Sequence, residues 1–131
     1  MPNRLALTTY LARDYDEAIA WFRRALGFVL LEDTDQGGGK RWVRMAPTRT
    51  ADTAFLIARA ATDEQKAFIG KAAGGRVAYF LDVQDFNAMH RRMQAAGVTF
   101  EEEPRSEDYG RVAVFQDLYG NRWDLLEFTN T

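Results

Sequence analysis

"RDYDEAIAWFRRALGF" (13–28) and "QDFNAMHRRMQAAGV" (84–98) decide how this chain is organised. In the first, Ala18, Ile19, Phe22 and Leu26 recur at helical spacing, with Asp14 or Asp16 as the cap and Gly27 at the C-terminal end. In the second, Phe86, Met89, Met93 and Ala96 form the same stripe, and Gly97 closes it. Laid together, the two stretches correspond within a residue. Such self-similarity, at a period of roughly 70 residues, is the mark of an internal duplication.

The flanks repeat too. "RLALTTYLA" (4–12) precedes the first helix, and "FVLLEDT" (28–34), "KRWVRMAP" (40–47) and "TAFLIARA" (53–60) follow it, each β-rich and bounded by Gly, Pro, Asp or Thr. The second helix has "RVAYFLDV" (76–83) before it and "VTFEEEP" (98–104), "RVAVFQDL" (111–118) and "RWDLLEF" (122–128) after it. Between the halves, "TDEQKAFIGKAAGG" (62–75) opens with Thr62 and Gln65 at capping-box spacing and predicts a short helix. The expected architecture is α+β: one domain made of two β-α-β-β-β modules, 4–60 and 76–129, joined by a linker helix over 61–75. A ferredoxin-like β-α-β-β-α-β order is disfavoured, because three strands follow each helix.

Composition narrows the function classes. The 131 residues are 47% hydrophobic and include nine Phe, five Tyr and three Trp, enough for a real core. A net charge of −2 without a basic stripe speaks against nucleic acid as a partner. No apolar run reaches the roughly 18 residues of a membrane span, and the first residues become charged too early for a secretory signal. The expectation is a soluble cytoplasmic protein with no membrane partner. The absence of cysteine removes disulfides, thiolate metal sites and cysteine nucleophiles. Ser106, Thr8 and Thr9 have no histidine in sequence reach for a triad, so serine hydrolysis is not expected either.

The duplicated order, together with "RDYDEAIAWFRRALGF", "AAGVTFEEEP" and "VFQDLYGNRWDLLEF", resembles the vicinal oxygen chelate superfamily: glyoxalase I, extradiol dioxygenases, and the fosfomycin and bleomycin resistance proteins. The resemblance implies modules curled around a shared cleft and a homodimer. In metal-using members it implies a divalent ion held by a His from the first strand of each module and a Glu from the last strand of the second. Those ligands leave positions open for substrate oxygens.

Carried over, the two histidine positions fall on Leu7 and Ala78, with Arg76 the nearest alternative, and the carboxylate position falls on Asp124. The last strand of module one, "AFLIA", offers no ligand. His90, the only histidine, belongs to the second-module helix. "FEEEP" spreads Glu101, Glu102 and Glu103 over both faces of its strand, as a solvated edge would. No cofactor is expected, with a divalent metal as the alternative.

Strand alternation, with Asp124 placed inward, turns Arg122, Asp124, Leu126 and Phe128 to the cleft, and with them Leu5, Leu7, Thr9, Leu11, Arg76, Ala78 and Phe80. Such a lining suits an apolar or aromatic small molecule. Trp42 can stack on a planar ligand or fill the core. Tyr109, in the polar stretch "PRSEDYGR", can close over a cleft or merely connect strands, and "DQGGGK" reads as a flexible hairpin without a phosphate loop's Lys-Ser/Thr ending. Asp124 stays open to three readings: a salt-bridge partner of Arg76 or Arg122, an acceptor that orients a ligand's amine or hydroxyl, or a general base and so the one catalytic candidate. The functional expectation is a metal-free small-molecule-binding protein. The alternative is a lyase, isomerase or dioxygenase-type enzyme with a non-standard or metal-dependent site.

Overall fold

The computed structural model describes residues 2–129. The chain divides into two compact units, Met1–Ile69 and Gly70–Thr131. Unit one runs β1 (Leu7–Ala12), α1 (Tyr15–Trp21), β2 (Val29–Gly37), β3 (Lys40–Ala46), β4 (Ala54–Arg59) and the short α2 (Asp63–Ala67). Unit two runs β5 (Val77–Asp82), α3 (Phe86–Ala95), β6 (Thr99–Phe100), β7 (Arg105–Glu107), β8 (Gly110–Gln116) and β9 (Arg122–Phe128). Sheet one has the order β1-β4-β3-β2, and sheet two the order β5-β9-β8-β6 with β7 also on β8. In both, the first and last strands run parallel and the remaining pairs are antiparallel. The same β-α-β-β-β plan is therefore built twice.

The helices start where the sequence places their caps. Asp14 accepts a hydrogen bond from Glu17 N at 2.8 Å, and Asp85 accepts one from Ala88 N at 3.0 Å. Thr62 and Gln65 complete the reciprocal capping box at α2. After Trp21 the first helix widens into a π-helical turn, Phe22–Leu26, and ends at Gly27, whose φ of 71° is the left-handed conformation glycine adopts without strain. Gly70 is required twice over, by a turn that sets its φ at 79° and by contact: a Cβ there would come within 2.1 Å of the Tyr119 carbonyl oxygen.

Each core lies between the helix and one face of its own sheet. In unit one, Ala18, Ile19, Phe22 and Leu26 are all buried, with Tyr10, Val43, Met45 and Ile57 beneath them. Phe22 lies 5.1 Å from Tyr10 and 5.8 Å from Phe55, ring centre to ring centre. In unit two, Trp123 stacks on Phe115 at 5.5 Å, and Phe115 meets Phe100 at 5.8 Å. Phe100 then lies 4.3 Å from His90, whose ring stacks on Phe86. The lone histidine thus serves as a half-buried aromatic surface within this stack. No helix among the described residues is long and apolar enough to cross a membrane.

One predicted strand is not continuous. β6 ends at Phe100, opposite Phe115, and pairing resumes at Arg105, opposite Val112. Four residues on one side, Glu101–Pro104, face two on the other, Ala113 and Val114, a bulge that contains Pro104, which has no N–H to donate. Glu102 fills the gap: its carboxylate accepts from Val114 N at 2.8 Å and from Arg105 Nε at 3.0 Å. The acidic run is consequently a brace rather than a solvated edge.

Candidate functional site

The open face of sheet one holds the cavity. Thr9 pairs with Leu56 and Leu11 with Ala58, and because directly opposed residues share a face, these four side chains form one floor. Trp42 on β3, half-buried, joins them. The resulting hollow has a volume of about 540 Å³, and its rim is formed by Tyr15, Lys40, Arg41, Arg59 and Gln65. Trp42 is therefore a wall of an open space and not a core residue. Tyr15, which follows the helix cap, has two guanidinium groups near its ring, with Arg41 at 5.0 Å and Arg59 at 5.7 Å from the ring centre. Its hydroxyl accepts from Arg41 N at 3.1 Å.

Arg41 is committed to carboxylates. It meets Asp33 through Nε at 3.1 Å and Nη2 at 2.7 Å, and Asp16 through Nη1 at 2.9 Å. Asp33, hydrogen-bonded by that guanidinium, stays below the usual carboxylate range. The adjoining β2–β3 turn, Gly37–Gly39, has three successive residues at positive φ, so "DQGGGK" forms the expected hairpin.

Unit two presents a different surface. Phe80 pairs with Asp124 across β5 and β9, and Val114 pairs with Asp124 across β8 and β9, so the three share a face. Leu126 and Val112 are paired further along the same face. Asp124 is buried, and its Oδ1 has no hydrogen-bond partner among the described residues. Burial raises its pKa above the ordinary carboxylate value. The positive charge of Arg105 opposes that rise, Glu102 adds to it, and Arg122 again opposes it.

The salt-bridge reading of Asp124 is corrected by these contacts. Arg122 turns to Glu101, with Nε at 3.0 Å from Oε2 and Nη2 at 2.9 Å from Oε1, and its Nη1 donates to the Gly75 carbonyl at 3.2 Å. Arg76 is exposed just ahead of β5 and makes no ion pair with Asp124. The predicted parity also breaks at Ala78. The β5–β9 register slips between Val77 and Tyr79, so Phe80 faces with Asp124 but Ala78 lies in the irregularity. Tyr109 stands in the two-residue turn of the β7–β8 hairpin, with its ring 6.4 Å from Phe128.

Of the predicted site residues, the structure gathers Thr9 and Trp42 around the hollow of unit one, and Phe80, Asp124 and Leu126 on one face of unit two. Leu7 lies half-buried on β1, opposite Ala54, and does not line the hollow. Tyr15, Arg41, Leu56, Ala58, Arg59 and Gln65 were not predicted. The small residue Ala58, two positions after Leu56 and so on the same face of β4, is the sequence signal that space is left there. As for metals, no three His, Cys, Asp or Glu side chains converge among the described residues. Asp124 offers one carboxylate in a setting charged by Arg105, a donor set that does not fit a divalent ion.

Comparison with known proteins bears on these surfaces. The family model described as Glyoxalase/Bleomycin resistance protein/Dioxygenase superfamily matches residues 4–125. An uncharacterised protein of Shewanella frigidimarina is 48% identical over 131 residues, covering 99% of this chain and 97% of that one. Among solved structures, UcmS2 matches with a TM-score of 0.81 and 29% identity, over 96% of this chain and 98% of that chain. TnmS3, described as an antibiotic binding protein from Streptomyces sp. CB03234, matches with a TM-score of 0.77 and 26% identity, over 98% of each chain.

Proposed function

Because the chain belongs to the glyoxalase/bleomycin resistance protein/dioxygenase superfamily, we propose that it binds an apolar, aromatic small molecule and does so without a metal. The observation behind this reading is the hollow of about 540 Å³ over Leu11, Trp42, Leu56 and Ala58. Its size falls within the roughly 300–1,000 Å³ typical of small-molecule sites, and an apolar floor with a few polar groups at the rim is their usual chemistry. Trp42 supplies a ring face for a planar ligand, worth about 0.5–1.5 kcal/mol beyond the area it buries. The antibiotic-binding description of TnmS3 supports the same class of ligand. In unit two, separately, Asp124 is an acceptor suited to an amine or hydroxyl donor.

The test is calorimetric titration with a panel of polycyclic aromatic compounds, alongside melting curves. A ligand at about 100 times its Kd should stabilise the native state by about 2.7 kcal/mol. Trp42→Ala should weaken binding about tenfold while leaving the fold intact. If no compound binds, or if the variant binds as tightly as the parent, the hollow is not the site. Metal content of protein purified without chelator or His-tag should be far below one ion per chain. A second reading, an enzyme of lyase, isomerase or dioxygenase type, rests on the unpartnered Oδ1 and raised pKa of Asp124. It is favoured if turnover of any substrate disappears in Asp124→Asn.

A further inference from the structure

We infer that the aromatic ligand bears an anionic group, and that Arg59 receives it. This rests on the binding reading above and adds the ligand's charge. The polar atoms around the hollow are almost all donors. Arg59 makes no ion pair or hydrogen bond among the described residues; its guanidinium lies only against the Tyr15 ring, 5.7 Å from the centre. Lys40 also lacks a carboxylate partner. Gln65 uses Oε1 to accept from Ala61 N at 2.8 Å, which leaves its amide NH₂ uncommitted. Tyr15, whose oxygen already accepts from Arg41 N, keeps its O–H to donate. Thr9 is the one hydroxyl that can serve either way, and no carboxylate lines the hollow.

Arg41 shows the contrast. It sits at the same rim and is satisfied by Asp33 and Asp16. In a chain with a net charge of −2, an unpaired guanidinium beside a paired one does not reflect a surplus of cations. Gly39 gives Arg59 its room: a Cβ there would approach Nη2 at 3.3 Å. A guanidinium fork binds a carboxylate or sulfonate through two parallel N–H bonds, and Trp42 lines the same hollow as an aromatic surface. The ligand class is thus a planar aromatic acid.

The probes are 2-naphthoate and its neutral isostere 2-naphthamide, titrated by calorimetry against the full chain. Naphthoate should bind at least about tenfold tighter, equivalent to about 1.4 kcal/mol, and its advantage should shrink as salt is raised. Arg59→Gln should bring the two probes to within about threefold, acting on naphthoate alone, and Arg59→Lys should restore part of the preference. Lys40→Gln should give a smaller loss of the same sign. Equal binding of the two probes overturns the inference while leaving the binding reading standing. So does a loss in Arg59→Gln that is the same for both. If neither probe binds, the binding reading fails and this inference falls with it.

Discussion

In unit one the middle hairpin pairs without a long break from Val29–Ala46 out to Gly37–Lys40. In unit two the corresponding hairpin stops at Phe100, detours through Glu101–Pro104 and resumes at Arg105. The first arrangement leaves charged side chains to pair across neighbouring strands, as Arg41 does with Asp33 and Arg44 with Glu32 at 2.9 Å. The second draws carboxylates into the backbone network itself. Glu102 takes the place of a strand carbonyl, and Glu101 locks Arg122. One topology therefore yields an open hollow rimmed by cations in unit one, and in unit two a face with one buried acid whose Oδ1 accepts no hydrogen bond among the described residues.

That contrast can be broken most forcefully at Glu102. Replacing it with alanine leaves Val114 N–H without an acceptor, and the expected cost is about 2 kcal/mol. Urea unfolding should show the loss, with amide exchange at Val114 rising ahead of the β8–β9 pairs. A loss below about 0.5 kcal/mol would mean that the bulge holds without its brace.

The next effect has the opposite sign. Because the folded-state pKa of Asp124 is raised, its ionisation opposes folding. Native stability is unpenalised below the ordinary value of 3.8 and falls as pH rises through the raised one. Asp124→Asn should therefore gain on the order of 1 kcal/mol at pH 7, and the gain should vanish near pH 3. A destabilised variant at pH 7 would mean that the carboxylate is paired in solution.

Glu101 supplies the smallest effect and the reverse pH trend. Arg122, through its hydrogen bonds, lowers the Glu101 pKa below 4.5, so this carboxylate stabilises the fold above that value and the benefit is lost as pH falls through the lowered one. The pair is part-exposed and screened, so Glu101→Gln should cost no more than about 0.5 kcal/mol at pH 7. Its melting curve should merge with the parent's in acid. Two acids of one unit would then respond to pH in opposite directions.

The duplication was legible because helix stripes and caps are local. Asp14, Asp85 and Thr62 act within three residues of themselves, and nothing remote overrides them. The face of Asp124 was legible for a similar reason, since strand parity holds along uninterrupted β9. It failed at Ala78, where the register slip depends on how β5 meets a strand some 45 residues later in the chain. The Glu101–Glu103 run misled because alternation says nothing of a bulge whose cause is a side chain bonding to another strand's backbone. The hollow was hidden for a related reason. Its lining comes from β1, β3, β4, the β2–β3 turn, the first turn of α1 and α2, and Leu56 beside Thr9 is a neighbourhood that only the parallel pairing creates.

The parallel pairing also sets a timetable for synthesis. β1 has one partner strand, β4, and β5 has one, β9. A ribosome that has released Leu7–Ala12 must extrude everything up to Ala54–Arg59 before that strand can be paired, and Val77–Asp82 waits in the same way for Arg122–Phe128. Each unit thus spends most of its own translation with its first strand unpaired and its helix lacking a finished floor. Stalling within β9 strands β5 as well, so that a nascent chain stopped there exposes two unpaired edges rather than one.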